Sequence, residues 1–250
     1  MKSKPAKKRL DLLLVDRGLA ESTTKAQAMI LAGEVWINDT RAEKAGVCVP
    51  ENAEVAVASR ARKYASRGGI KLEGALADFS IDPAGRICLD VGASTGGFTD
   101  CLLQKGATRV YTVDVNVDQL AWKLRQDQRV VRVERNAREL RLGDIPEAVG
   151  LVVIDVSFIS ATKVLVPAVA VARPGADLLI LVKPQFELPR EDVKTGGVVD
   201  DPTLHENAVQ KVRAATLNAN LSIVGVRPSR LSGAEGNQEY FLHARKKPLE

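Results

Sequence analysis

From residue 87 onward, apolar residues fall into short unbroken runs, and several of these runs end on a charge. Ile87–Val91 is apolar except for Asp90, and 109–115 reads Arg-Val-Tyr-Thr-Val-Asp-Val with Asp114 near its end. Val130–Val133 is a shorter run, residues 150–155 end on Asp155, residues 177–183 end on Lys183, and residues 237–242 open with Glu239 among their first three. Continuous runs of this length predict buried strands of a largely parallel sheet, while alternating patterns mark strands with one wet face. The first sixty residues have a different period. Leu10, Leu13 and Leu14, then Ala28, Ile30 and Leu31, predict two short helices. Gly18 and Gly33 are placed to end them, and Ser22 is placed to cap the second. Strands are expected at Glu34–Asn38 and Glu54–Ala58, with a turn near Asp39.

The run Ile87–Val91 leads into Gly92-Ala-Ser-Thr-Gly-Gly97, and an amphipathic stretch begins at Phe98. Strand, tight turn and helix follow in that order. Glycine lets the backbone turn sharply and lets a ligand approach closely, and a helix start offers unpaired N–H groups. The turn is no P-loop, because Phe98 stands where the phosphate-binding Lys would be, and Ser94 breaks the dinucleotide fingerprint G-x-G-x-x-G. What remains suits a nucleoside cofactor, with Asp114 at the end of the next strand in reach of ribose hydroxyls. An ordinary tight turn in some other α/β enzyme has the same pattern.

Composition narrows the class further. The 250 residues are 45% hydrophobic, enough for one large domain and a small one, and no apolar run approaches the ~18 residues of a membrane span. Cys48, Cys88 and Cys101 are odd in number and scattered, which suits a reducing cytosol, and two histidines without Cys pairs offer no zinc-ligand set. Residues 1–70 hold 13 Lys/Arg against 8 Asp/Glu, while the remainder is balanced, so the whole excess of +5 lies in the first quarter. A basic module beside a neutral domain points to a polyanionic partner, or to a solvated basic tail at Lys2–Arg9.

The glycine turn with Asp114 resembles the S-adenosylmethionine pocket of Rossmann-like methyltransferases, and transfer of a methyl group to a hydroxyl would need an in-line geometry and a group that removes the proton. A lysine can do this only where neighbours and burial bring its pKa down from about 10.4. Lys183, at the end of an almost wholly apolar strand, is therefore a candidate, with Asp155 and Glu239 as acidic partners; a surface salt bridge is the alternative. Lys71, in Ser-Arg-Gly-Gly-Ile-Lys-Leu, is not singled out by periodicity.

Two resemblances cover nearly the whole chain. Arg9–Leu19 with Ser22–Asn38 resembles the S4 RNA-binding domain, although Thr23 and Asp39 stand where that family usually has Arg and Gly. Lys71, Asp155, Lys183 and Glu239 resemble the K-D-K-E tetrad of FtsJ-like ribose 2′-O-methyltransferases. The words Ser-Arg-Gly-Gly-Ile-Lys-Leu, Asp-Val-Gly-Ala-Ser-Thr-Gly-Gly-Phe-Thr-Asp, Asp-Val-Ser-Phe-Ile-Ser, Val-Lys-Pro-Gln-Phe-Glu and Gly-Gly-Val-Val-Asp-Asp-Pro resemble the TlyA family, which joins both domains. One departure stands before Glu239, where Ser-Arg-Leu-Ser-Gly-Ala-Glu-Gly-Asn-Gln-Glu lacks the family's usual prolines and leaves the loop's rigidity in question.

The resemblance implies an α/β architecture. Residues 1–60 would be an S4-like module, 61–70 a basic linker, and 71–250 a Rossmann-like seven-stranded methyltransferase domain whose last strand is antiparallel. It implies S-adenosylmethionine as cofactor, bordered by Asp90, Gly92, Ala93, Ser94, Gly96, Gly97, Phe98, Asp114, Val115, Asn136, Ala137 and Asp155. No metal is needed, since the sulfonium is already a good leaving group. Lys183 would accept the hydroxyl proton, Asp155 and Lys71 would tune and position it, and Glu239 would complete the network. The implied substrate is cytidine ribose in ribosomal RNA or ribosomal subunits, in the cytoplasm. Arg9, Arg17, Lys25, Arg41 and Lys44 are candidate phosphate contacts, as are Arg62, Lys63 and Arg67 of the linker; each is equally readable as a solvated charge. Two other functions compete: a non-catalytic RNA-binding or assembly factor, and the membrane-active protein implied by the haemolysin label some family members carry. For the latter the sequence offers neither a spanning segment nor a long basic amphipathic helix.

Overall fold

In the computed structural model, residues 6–38, 40–57, 63–233 and 235–248 are described. The chain divides into two compact units, Met1–Lys63 and Tyr64–Glu250. In the first, β1 (Lys7–Arg9), α1 (Leu10–Asp16), α2 (Thr23–Leu31), β2 (Val35–Ile37), β3 (Thr40–Arg41), β4 (Cys48–Pro50) and β5 (Val55–Val57) follow one another. β1 pairs with β4, and β3-β2-β5 forms a second small sheet. Ser22 accepts the N–H of Lys25 at 3.2 Å, the cap expected of it. The buried face of α2 differs from expectation. Ala26, Met29 and Ile30 face the core beside Leu10, Leu13 and Leu14, while Leu31 is exposed and Ala28 also faces out. Spacing i, i+3, i+4 sets that face, and Ala28 with Leu31 lies off it.

The second unit opens with α3 (Arg67–Asp78), then β6 (Ile87–Val91), α4 (Gly97–Gln104), β7 (Arg109–Asp114), α5 (Trp122–Arg125), β8 (Val130–Glu134) and β9 (Val149–Ile154). It closes with α6 (Thr162–Val171), β10 (Ala172–Val182), α7 (Pro184–Glu187), α8 (Pro202–Asn218), β11 (Leu221–Pro228) and β12 (Tyr240–Lys246). Seven strands form one sheet in the order β11-β12-β10-β9-β6-β7-β8. All pairings are parallel except those of β12, which runs antiparallel to both β10 and β11, as expected of the last strand. The central strand β9 is buried at every position, consistent with its unbroken apolar run. One apolar cluster fills the face of α6 and α8, and another fills the face of α3 and α4.

Of the expected basic linker over 61–70, residues 64–70 fall within the second unit, while 61 and 62 lie outside the described residues. Tyr64 is buried in the second cluster, Ser66 caps α3 by accepting the N–H of Gly68, and Arg67–Ile70 are its first turn. A buried ring and a capped helix belong to the domain, whatever the surrounding charge.

Candidate active site

The sheet places the expected groups at one edge. Asp155 follows β9, Lys183 follows β10 and Glu239 precedes β12. Ile154 is registered with both Val91 and Ile180, and Val182 with Tyr240, so the three residues leave adjacent strands side by side. Lys183 Nζ lies 2.6 Å from Asp155 Oδ1 and donates to Ser157 Oγ at 2.9 Å. Lys71, carried on α3, donates to Glu239 Oε2 at 2.5 Å. Each lysine is only about one-tenth exposed, with side-chain values of 11% and 12%, so both amines sit in a recess and not on an open surface.

The loop before Glu239 lacks prolines, yet hydrogen bonds brace it. Gly233 N–H donates to Asn237 O at 2.8 Å, and Ser229 N–H donates to Glu239 O at 2.7 Å. The buried Asn237 side chain donates to Gly197 O at 2.7 Å and accepts Val199 N–H at 2.8 Å. Arg67 Nη2 adds a contact to Ser232 O at 3.4 Å.

The glycine turn lies beside this edge. Gly92 has φ +86°, and a Cβ there would collide with the carbonyl oxygen of Asp155, so only glycine lets β6 and β9 end this close together. Ala93 is buried, and Ser94 takes φ +47° with its N–H held by Asp114 Oδ2 at 2.8 Å. Gly96, at φ +90°, starts α4 without a side-chain cap, so the first N–H groups of that helix keep no intrahelical partner. Gly97 and Phe98 are buried, and the Phe98 ring stacks on Phe241 with centroids 6.1 Å apart. Asp114 also accepts Asn116 N–H at 3.1 Å, Val115 is exposed, and Asn136 accepts Arg138 N–H at 3.1 Å to cap its own turn. Ala137 packs half-buried against the core.

Asp90 is wholly buried and accepts the Thr99 hydroxyl at 2.6 Å. Burial pushes its carboxyl up to about 7, the charges of Asp155 and Asp114 add to the effect, and Thr99 opposes it. Its Oδ1 has no hydrogen-bond partner among the described residues. A buried carboxyl with one oxygen unengaged among the described residues, a turn fixed by Asp114 and open helix N–H groups are the chemistry on which a nucleoside cofactor such as S-adenosylmethionine could be held.

Comparison with known proteins places this architecture. A family model described as FtsJ-like methyltransferase matches residues 64–246, and one described as S4 domain matches residues 8–55. The 16S/23S rRNA (cytidine-2′-O)-methyltransferase TlyA of Mycobacterium tuberculosis is 47% identical over 95% of this chain and 89% of its own length. Hemolysin A of Brachyspira hyodysenteriae is 40% identical over 94% of this chain and 98% of its own. A solved structure from Streptococcus thermophilus with a provisional hemolysin name has a TM-score of 0.75 at 38% identity, covering 98% of this chain and 90% of that one. The chain belongs to the TlyA family.

In this TlyA-family chain the candidate RNA contacts of the first unit divide into two groups. Arg9 is paired with the buried Asp11 at 2.7 Å, Arg17 donates to the carbonyls of Ala53 and Glu51, and Arg41 donates to Ala32 O at 3.2 Å. These three guanidiniums brace the fold. Lys25, Lys44 and Lys63 are exposed. Arg62 lies outside the described residues. No helix among the described residues is long and apolar enough to cross a membrane.

Two residues at the site escaped sequence reasoning. Phe158 is 89% exposed and holds φ +65°, a conformation a bulky side chain rarely takes, with its ring 5.4 Å from that of Phe186. Ser157, its neighbour, is the second partner of Lys183. Both lie in the word Asp-Val-Ser-Phe-Ile-Ser, whose apolar Phe and Ile mask an exposed ring.

Proposed function

We propose that this protein transfers a methyl group from S-adenosylmethionine to the 2′-hydroxyl of cytidine in ribosomal RNA, with large-subunit RNA as first substrate and small-subunit RNA as second. One observation carries the reading: two recessed lysine–carboxylate pairs, Lys71–Glu239 and Lys183–Asp155, at the strand edge that also holds the glycine turn. The name of the Mycobacterium tuberculosis relative describes the same activity.

S-adenosylmethionine, when bound, supplies an electrophilic methyl on a sulfonium that leaves without needing a proton. The chain's part is to bind, orient and deprotonate the ribose hydroxyl. Lys183 Nζ takes that proton while the oxygen attacks. Asp155 then holds the ammonium that forms, so the carboxylate is already in place where charge develops. Ser157 fixes the direction of the amine. Lys71, held by Glu239, positions the hydroxyl from the α3 side. The exposed Phe158 ring offers a stacking surface for a base taken out of its helix. Gly92, Ser94, Gly96, Asp90, Asp114 and Asn136 border the cofactor. Exposed Lys25, Lys44 and Lys63, with Arg62 and Arg67, meet RNA phosphates as point charges. A ribosomal RNA substrate puts the protein in the cytoplasm.

The test is transfer of labelled methyl from S-adenosylmethionine to unmodified ribosomal RNA and to each ribosomal subunit, with the 2′-O-methyl sites then mapped. Label on cytidine ribose supports the reading. Tight RNA binding with no transfer to any substrate favours a non-catalytic assembly factor and overturns it.

A further inference from the structure

Glu187 closes α7 four residues after Lys183, and the two lysine–carboxylate pairs make no use of it. Its side chain is buried, 2% exposed. One carboxylate oxygen accepts the N–H of Ala161 at 2.7 Å, and the other accepts the hydroxyl of Ser160. Ser160 Oγ in turn lies 2.7 Å from Thr162 Oγ1 and accepts the N–H of Thr162 at 3.2 Å. Lys211 of α8 sits 3.6 Å from the carboxylate and donates to the Glu187 carbonyl.

The grip has a local reason. α6 begins at Thr162 after Ala161, a residue with no capping side chain, and its own segment contributes the Ser160 hydroxyl, which accepts the Thr162 N–H. Glu187 reaches across from α7 and accepts the buried N–H of Ala161 at that helix start. The loop 156–161 is thereby held at both ends. At its near end the Asp155 N–H donates to Val91 O at 2.9 Å and the Asp155 carboxylate pairs with Lys183. At its far end Glu187 holds Ser160 and Ala161. Between them lie Ser157 on the Lys183 amine and Phe158 at positive φ. A strained backbone of that kind persists only where its surroundings over-determine it.

We propose that Glu187 is a positioning residue, which caps α6 from α7 and so keeps Ser157 on Lys183 and the Phe158 ring standing at the mouth of the site. This rests on the methyl-transfer reading above. The grip works by shape: a glutamine can accept from Ala161 and donate to Ser160, whereas an alanine can do neither.

Steady-state methyl transfer to ribosomal RNA is measured for the wild type, Glu187→Ala, Glu187→Gln, Phe158→Ala and the double variant Glu187→Ala/Phe158→Ala, with cofactor affinity by calorimetry. Misplacing a catalytic group by about 1 Å costs up to ~100-fold, so Glu187→Ala is expected to lower kcat at least about tenfold. KM for RNA and cofactor affinity stay near wild type, and Glu187→Gln returns most of the rate. The double variant is no slower than its slower parent, because both changes disable one loop. Should Glu187→Ala fail to fold, Ser160→Ala removes one contact of the same grip, and a few-fold loss of kcat with an unchanged melting temperature is expected. A folded Glu187→Ala with wild-type kcat, a Glu187→Gln no better than Ala, losses that multiply in the double variant, or an unaffected Ser160→Ala overturns the proposal while leaving the methyltransferase intact. No transfer by the wild type overturns both.

Discussion

Charged groups gather at both ends of the strands of the large sheet, and the two clusters are built differently. At the lower end Asp177 of β10 is buried and accepts from Arg86 at 2.7 Å, His243 at 2.9 Å and Arg245 at 2.8 Å. Burial by itself would raise the Asp177 carboxyl, but the bonds from His243, Arg245 and Arg86 outweigh it and hold the group well below the usual carboxylate range. At the upper end two lysines and two carboxylates form separate pairs next to a glycine turn and an exposed ring. The residue types overlap, so an ion pair on its own is no sign of chemistry. The lower cluster gathers three donors on one acid and ties three segments together. The upper pairs each join one recessed lysine to one carboxylate, and in the proposed reaction these are the groups that meet the substrate. That is the difference between a charge network that locks strands and one that is poised to act.

Substitutions can break this contrast, and the largest effect belongs to the upper end. Lys71→Ala should cut methyl transfer per folded molecule by about 100-fold or more, the scale on which a positioned acid–base or orienting group contributes, over and above the stability lost by leaving the buried Glu239 unpaired. Rate and melting curve, measured on the same preparation, check it. At the lower end Asp177→Asn should do the reverse. Removing the acid leaves Arg86, His243 and Arg245 without their shared partner and costs roughly 2–3 kcal/mol of stability by denaturant titration, with the rate per folded molecule unchanged. The wild type should also lose stability as pH falls below about 4, because the depressed Asp177 favours the folded state only while ionised.

Asp90 sharpens the contrast through pH. Its folded carboxyl titrates at about 7 against an ordinary value of 3.8, so the folded state holds a proton that the unfolded chain has released. Stability of the unliganded protein therefore falls as pH rises between about 4 and about 7, opposite in sign to Asp177. Asp90→Asn should flatten that slope, and an unchanged slope counts against a protonated Asp90. The smallest effect lies in the first unit. Asp11, buried and held at about 2 chiefly by Arg9, resembles Asp177 in being fully engaged. Arg9→Lys should lower the melting temperature of that unit slightly, because a lysine can make only one of the two bonds that Arg9 gives Asp11.

How much of this the sequence shows depends on the residue. Asp155, Lys183 and Glu239 are legible because each interrupts or bounds an apolar run, and a buried strand has a charge at its end only for a reason. Lys71 is not, because α3 mixes glycine, charge and apolar residues in its first turns; only the resemblance singles it out. Tyr64 was hidden among Arg62, Lys63 and Arg67, whose charge reads as linker although one buried ring decides the boundary. The left-handed backbone of Phe158 lies in a loop whose far end is held by Glu187, 26 residues after Ala161, and no local pattern records that contact. The brace on the loop before Glu239 is of the same kind: Asn237 does through Gly197 and Val199 what the family's prolines do through local stiffness.

The central claim is that the upper edge of the sheet carries out a proton transfer at Lys183. It is tested most directly by single-turnover methyl transfer to ribosomal RNA, with cofactor and RNA saturating, for Lys183→Ala beside Asp177→Asn. The account predicts a loss of about 100- to 10,000-fold for Lys183→Ala with cofactor and RNA affinities retained, and a wild-type rate for folded Asp177→Asn. Equal transfer by wild type and Lys183→Ala would contradict it.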